Sequence, residues 1–539
     1  MTSAQTSPGT RPGTRSAAAR RSLPIAAAVG GWLVLLVVSA GRIRDELEAT
    51  LHRDEAIAWT YASQPLDDIP RALGYDVNPP VYFLALHTWL SGGGTGEVFL
   101  RTLSVLAVLA AAGVAFDAAR RVADTRAGWL ASIFVLLAPA SLAIAGLARP
   151  YALAFLLGLV ALDAAVALVR GAGPVAVVVL GVAGGLLPLT HYWGGLLLVA
   201  IMAGLGVTAL RTGQRDLLTR ALVATGIAAV AALPWLQTLR VQLASTPLAA
   251  HQSPTGELLG STLTQVAGGR WTAWVLGLVA AAAVAAALLT WRRTGRRPWP
   301  ADRPLDPARL FLAVTTGGAV LAVFTLWLVS QARPLFSPNY AFLVLAPVPV
   351  LVGVLMSRRT ATMVAVVAAL VVVSIPDFSR SAFADQPWER ESRGPEYAIA
   401  RSLQYSTEPG DVVFTSPGRV LAVRYYLGQD REYLTPIGGV QRGLFDFQDR
   451  VTRLRATDPA AVAEAVAGGP VGSRVAFVTD AGPPRQQTYW IELDRVMDRV
   501  GWALADDPRL ERIYSGELPD PYGATEVVVY RVRDPAATG

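Results

Sequence analysis

The sequence predicts a polytopic α-helical membrane protein, with about eleven transmembrane helices and a C-terminal extracytoplasmic α/β domain. Three observations predict it. Of 539 residues, 53% are hydrophobic and 16% are charged, with a mean hydropathy of +0.41; a soluble domain carries roughly 25% charged residues. Apolar runs long enough to span a bilayer recur along the first 375 residues. The arginines, which make up all 47 basic residues, gather in alternate connections between those runs. Together these exclude a single soluble domain and a disordered chain. The formal charge of +7 does not point to nucleic acid, because membrane topology sorts these charges.

The first 23 residues are rich in Ser, Thr, Gly, Pro and Arg and read as a disordered cytoplasmic tail. The first apolar stretch has no convincing cleavage site and is followed by further spans, so it reads as an anchor and not a signal peptide. The spans lie near 24–41, 98–119, 127–146, 151–169, 174–190, 194–210, 219–239, 271–291, 309–330, 340–356 and 361–375. Arg11 to Arg21, then Arg120, Arg121 and Arg126, then Arg170, then Arg211 to Arg220, then Arg292 to Arg303, then Arg358 and Arg359 mark every second connection as cytoplasmic. The transmembrane domain is therefore 24–375, in the plasma membrane, with the N-terminus inside.

The largest outer connection is the first loop, 42–97, with four arginines against nine acids, a net of −5. Residues 79–90 are apolar but about half a span long, and counting them as a crossing would reverse every later loop. They read as a helix in the outer interface, with Tyr82 and Trp89 at the water boundary. An odd number of spans puts 376–539 outside. There, GDVVFTSP and SRVAFVTD read as short strands, ERIYSGEL and TEVVVYRV as closing strands, and RVLAVRYYL and the stretch around 488–503 as helices.

The chemistry concentrates in the first loop. Asp54 and Glu55 open the helix-like EAIAWTYA, and adjacent helical residues diverge by about 100°, so one acid faces outward while the other binds an arginine or caps the helix. Asp54 fits two readings equally: a general base or a solvated acid. Asp67 and Asp68 fit the solvated reading better. Arg149-Pro150-Tyr151 stands at the outer end of the fourth span, where an arginine either snorkels or grips an anion bidentately. Thr190-His191-Tyr192-Trp193 ends the fifth span on the same side; a lone interfacial His is more often structural than catalytic. Arg240, His251, Arg270, Arg333 and Asn339-Tyr340 occupy further outer connections. Asp117 and Asp163, the acids inside spans, sit toward the cytoplasmic ends, whereas ion relays place such groups deeper. There are no cysteines, no P-loop, no GxGxxG after a strand and no HExxH, so ATP-driven transport, dinucleotide chemistry and zincin proteolysis lack support.

As an ordered set these segments resemble the membrane glycosyltransferases of the GT-C superfamily, above all the glycosyltransferase family 39, protein mannosyltransferase-like group and its bacterial lipopolysaccharide core-transferase relatives. The likeness is carried by His52-Arg53-Asp54-Glu55-Ala56, Asp76-Val77-Asn78-Pro79-Pro80-Val81-Tyr82, Glu97-Val98-Phe99-Leu100-Arg101, Ala148-Arg149-Pro150-Tyr151 and Thr190-His191-Tyr192. Further along it includes Pro409-Gly410-Asp411-Val412-Val413 and Arg424-Tyr425-Tyr426. The chain departs from the pattern at Asn78, where relatives carry His, at Leu147, where they often carry Glu, and at Asn339-Tyr340, where Arg-Tyr is common.

The resemblance implies a hexosyl- or pentosyltransferase that moves a sugar from a polyprenyl-phosphate donor to an outer hydroxyl on a glycan, lipid or protein. It makes Asp54 and Glu55 catalytic, with Glu55 orienting or metal-facing. Arg149, Tyr151, Asp76, His191, Tyr82 and Asn78 become substrate contacts. Use of a divalent metal ion is left open. The alternative of another class is a transporter or flippase of a lipid-linked glycan.

Overall fold

The computed structural model describes residues 44, 47–74, 76, 78–245, 254–278, 289, 292, 306–332, 335–344, 346–358, 360–373, 394–441, 444–481, 488–520 and 523–534. The expected tail 1–23, the first span 24–41, most of the span at 271–291, and both His251 and Arg333 lie outside them.

The membrane part is built from helices whose composition leaves them no other way to satisfy their backbone in lipid. The first loop contains α1 (Arg53–Ala62), α2 (Ile69–Leu73) and α3 (Val81–Leu90). Next come α4 (Glu97–Val122), α5 (Thr125–Leu137), α6 (Pro139–Ala145), α7 (Tyr151–Val169), α8 (Pro174–Thr190), α9 (Gly194–Thr212) and α10 (Arg215–Ala232). A short 3-10 turn joins α10 to α11 (Leu236–Ser245); α12 (Gly256–Val266), α13 (Pro307–Val329), α14 (Pro338–Val344), α15 (Pro347–Met356) and α16 (Thr360–Val373) follow.

Among the described residues, five helices are long and apolar enough to cross a membrane, or six with the bent pair α5–α6. Those at Glu97–Val122, Tyr151–Val169, Gly194–Thr212, Arg215–Ala244 and Pro307–Val329 coincide with expected spans. Two further expected spans appear as the shorter helices α8 and α15. The span expected at 127–146 is broken, with a 57° bend where Ala138, extended before Pro139, interrupts the helix. The segment expected to lie in the interface is α3, ten residues and about 15 Å long, half a bilayer core.

Small residues set the helix spacing. Ala107, Ala111, Ala115 and Ala118 of α4 are buried, as are Ala154, Ala161 and Ala165 of α7. A Cβ on Gly353 would stand 2.4 Å from the Ala127 carbonyl oxygen, so α15 can approach α5 this closely only with glycine there.

The C-terminal region forms one six-stranded sheet in the order β3-β2-β1-β4-β6-β5. Its elements are α17 (Pro395–Ser406), β1 (Val412–Phe414), α18 (Val420–Leu427), β2 (Glu432–Thr435) and β3 (Gly438–Gly439). The rest are α19 (Arg450–Ala456), α20 (Pro459–Ala467), β4 (Arg474–Asp480), α21 (Thr488–Asp506), β5 (Leu510–Asp520) and β6 (Gly523–Val532). β1 runs parallel to β2 and β4, while β6 closes the sheet antiparallel to β4 and β5. All four strands expected from the sequence are present.

This sheet docks onto the first loop. The Gly394 N–H donates to the Thr50 hydroxyl at 2.6 Å and the Tyr425 hydroxyl to the Thr95 carbonyl at 2.8 Å. The Gln448 amide donates to the Gly74 carbonyl at 2.6 Å, and Trp59 meets the Tyr425 ring edge-on at 4.8 Å. The C-terminal sheet and the first loop are thus on the same side of the helix bundle.

Candidate active site

The site begins at the N-terminus of α1. His52 caps it, its ring nitrogen accepting the Asp54 N–H at 3.3 Å while the Glu55 carboxylate accepts the His52 N–H at 2.9 Å. The two acids diverge, as helix geometry requires.

Glu55 points inward and is 1% exposed. One oxygen accepts from Arg101 Nε at 2.9 Å and from the Ala148 N–H at 2.7 Å; the other accepts from Arg101 Nη2 at 2.6 Å and from the His52 N–H. These four bonds use the acceptor sites of the carboxylate. Arg101, from the second turn of α4, also donates to the carbonyls of Leu47, Ala49 and Thr50. Its five N–H groups are therefore all engaged, and it clamps the chain entering α1 as well as the acid inside it. Burial alone would raise the Glu55 carboxyl. The charge and hydrogen bonds of Arg101, with the Ala148 and His52 N–H groups, outweigh burial and hold it below its ordinary value.

Asp54 points outward, half exposed. Its carboxylate lies 3.5 Å from Arg149 Nη2, and its carbonyl accepts from Arg149 Nη1 at 3.0 Å. Arg149 is only 12% exposed. Burial opposes its charge, but Asp54, Tyr151 and Asp76 overcome that and raise it above its ordinary value. Its Nε is buried with no hydrogen-bond partner among the described residues.

Rings wall this arginine. Arg149 lies 6.0 Å from the Tyr151 ring centre; Tyr151 is 5.5 Å from His191, and His191 is 5.0 Å from Tyr340, which stacks on Trp193 at 5.8 Å. Tyr340 is within electrostatic reach of Asp54, Arg149 and Tyr151. Burial, with the nearby Arg149 charge, pushes His191 down to about 3, so it is neutral at physiological pH, and its Nδ1 is buried without a partner among the described residues. Tyr82, on α3, is buried and feels the charges of Arg149 and Glu55.

Asp76 reaches the same place from the loop before α3. Asn78 donates its side-chain amide to the Asp76 carboxylate at 2.7 Å, and Asp76 acts electrostatically on Arg149 and Tyr192. Buried Gln242 on α11 holds this loop, donating to the carbonyls of Leu73 at 2.9 Å and Asn78 at 3.3 Å. Tyr192 in turn donates to Gln242 and accepts from the Trp235 indole at 2.7 Å.

The structure therefore brings Asp54, Arg149, Tyr151, His191 and Tyr82 together, with Asp76 and Asn78 at the edge and Glu55 behind. Arg240 and Arg270 are exposed, and Arg270 lies over its neighbour Trp271 at 5.3 Å. Sequence reading quoted Arg101 only within a resembling segment and gave it no role, and it missed Gln242. Arg101 carried a signal, a lone arginine in the opening turns of an apolar span; Gln242 carried none. Among the described residues, no three His, Cys, Asp or Glu side chains stand where a metal ion could be held. Among the described residues, the Glu55 oxygens are already engaged by Arg101 and two backbone N–H groups.

No protein-family model and no curated protein sequence matches the chain. Its fold does match solved structures. ArnT from Cupriavidus metallidurans, a GT-C superfamily glycosyltransferase solved both bound to undecaprenyl phosphate and in the apo state, aligns with TM-score 0.57. The alignment covers 94% of this chain and 100% of ArnT at 15% identity. An oligosaccharyltransferase from Archaeoglobus fulgidus in the apo form aligns over 83% of this chain and 69% of its own, at 11% identity and TM-score 0.46, too loose to carry an argument. The chain shares the GT-C fold.

Proposed function

We propose that the protein is a GT-C glycosyltransferase of the family 39 kind, moving a sugar from a polyprenyl-phosphate donor to an acceptor hydroxyl outside the plasma membrane. In this reading the chain crosses the membrane eleven times and carries its C-terminal sheet outside. The observation that carries the reading is the Asp54–Arg149 pair: a half-exposed carboxylate beside a buried arginine whose Nε has no partner among the described residues. The fold shared with ArnT, itself solved with undecaprenyl phosphate, supports it.

Asp54 takes the proton of the acceptor hydroxyl as that oxygen attacks the anomeric carbon. The bond from that carbon to the phosphate oxygen breaks, and the lipid phosphate leaves with the electron pair. Arg149 meets the charge growing on that phosphate, a partner stronger in the transition state than before it. Direct displacement inverts the anomeric carbon. Glu55 acts as the orienting member of the acid pair. Neutral His191, with Tyr151 and Tyr340, offers rings and hydrogen-bonding groups to the sugar.

The test uses purified protein in detergent with a radiolabelled lipid-linked sugar, conditions without compartments in which a transporter or flippase yields no product. Asp54→Asn should lower transfer by about 10²–10⁴-fold; wild-type turnover would end the base assignment. Arg149→Ala should cost roughly 10²–10³-fold in donor kcat/KM, and an unchanged donor response would remove the phosphate role.

A further inference from the structure

Three successive residues at the start of α1 point to three different bodies. Glu55 is locked to Arg101 of the helix bundle, and Asp54 faces Arg149. Arg53 turns the other way: its Nε donates to the Glu396 carboxylate at 2.7 Å, with the two side chains 19% and 7% exposed. Glu396 lies in the first turn of α17, where the C-terminal region begins to pack on the first loop.

Glu396 is itself held. The fully buried Arg419 acts on it electrostatically, and Arg419 pairs with Asp480 at the end of β4 at 2.8 Å while donating to the Thr525 hydroxyl of β6 at 2.8 Å. The chain of contacts runs from the centre of the sheet to the residue next to Asp54. The Leu51 N–H, donating to the Tyr426 hydroxyl, and the Thr50–Gly394 bond brace the same entry to α1.

Geometry gives this second anchor its meaning. Glu55 and the buried residues of α1 hold one side of the helix, leaving its Arg53 side to be fixed from elsewhere. Arg53 and Glu55 lie about 200° apart around the helix, so anchoring both fixes where Asp54 points. We propose that Glu396 is a positioning residue for Asp54, acting through Arg53, so that the C-terminal sheet sets the aim of the base. This rests on the glycosyl-transfer reading with Asp54 as base. A displacement of about 1 Å at a reacting group costs about 10²-fold.

The experiment is a double-mutant cycle on kcat in the full-length protein. Glu396→Ala and Arg53→Ala should each lower kcat about tenfold or more, with donor KM unchanged and the double variant no worse than the poorer single. Glu396→Gln, which keeps an acceptor oxygen for Arg53, should recover much of the loss. Thermal melting normalises each rate to folded protein, and if Glu396→Ala does not fold, Arg53→Ala reads the same contact from its more exposed side. Unchanged kcat in the folded single variants, losses that multiply, or a change confined to KM would overturn the proposal. Asp54→Asn run alongside separates the two claims: normal transfer there ends the base assignment, whereas an inactive Asp54→Asn with a normal Arg53→Ala ends only the positioning.

Discussion

The two ends of α4 carry the same kind of pair in opposite settings. Arg101 and Glu55 meet near its N-terminus at 3% and 1% exposure. About 30 Å away along the helix, Arg120 and Arg121 meet Asp117 and Asp163, with the arginines 48% and 38% exposed. Arg170 joins that second cluster, donating to the Arg121 carbonyl at 3.0 Å and pairing with Asp306 at 2.8 Å. Residue types and separations are alike, and solvent is what differs. At the wet end the pairs cost little to form and little to break. At the dry end every donor and acceptor of the Arg101–Glu55 pair is spoken for, and the arginine that keeps a spare donor, Arg149, stands beside the outward acid. Burial thus separates a structural clamp, the proposed reactive pair and a solvated rim, each built from an arginine and a carboxylate.

The largest effect expected from this contrast is at Arg101. Arg101→Ala should destabilise the protein by about 3–5 kcal/mol, because it strands a buried carboxylate and frees three carbonyls before α1. The comparison breaks if that variant melts in detergent where the wild type does. A sharper version replaces both partners. Arg101→Met with Glu55→Gln should melt above Arg101→Met alone, since no buried charge then lacks a counterion and the glutamine oxygen still accepts from Ala148 or His52.

Next in size is the response to acid. The folded-state carboxyl of Glu55 is held below its unfolded value, the balance struck by Arg101 and two backbone N–H groups against burial. Its contribution is therefore fully present above the ordinary carboxylate range and is lost as pH falls through the lower, folded value. Melting temperature followed downward from neutral pH should drop over that window. The part of the drop due to Glu55 should vanish in Glu55→Gln, and an unchanged acid profile in that variant would mean the clamp is not the group being titrated.

The contrast also shows what a sequence can and cannot announce. Apolar runs and arginine spacing were enough to find α4, α7, α9, α10 and α13, because lipid demands length and composition locally. Strands β1, β4 and β6 were legible for the same local reason, short runs of β-branched and aromatic residues, and β5 from ERIYSGEL. The two-residue β3 and the polar-ended β2, EYLT, carry no such run. At the site, the divergence of Asp54 and Glu55 followed from helix geometry alone, but which acid faced inward depended on a partner 46 residues away. Gln242, 164 residues from the Asn78 loop it holds, lies beyond any spacing rule. The expected span at 127–146 missed its bend although Pro139 was in view, since proline signals an interruption without fixing its angle.

The smallest effect belongs to the wet end. Asp117 forms i,i+3 and i,i+4 pairs with Arg120 and Arg121 while remaining 29% exposed. Exposed pairs of this kind are worth about 0–1 kcal/mol and are screened by salt. Asp117→Asn should therefore leave melting nearly unchanged, and added salt should erase what difference there is. Sugar transfer should not respond at all, because the substituted side chain is a helix length from Asp54. A large loss of stability would show that exposure is not what ranks these pairs. A loss of transfer with stability intact would show instead that the two ends of α4 are coupled, and the clamp at Arg101 would then be the place to look for the link, since it is where that helix grips the chain that carries the proposed base.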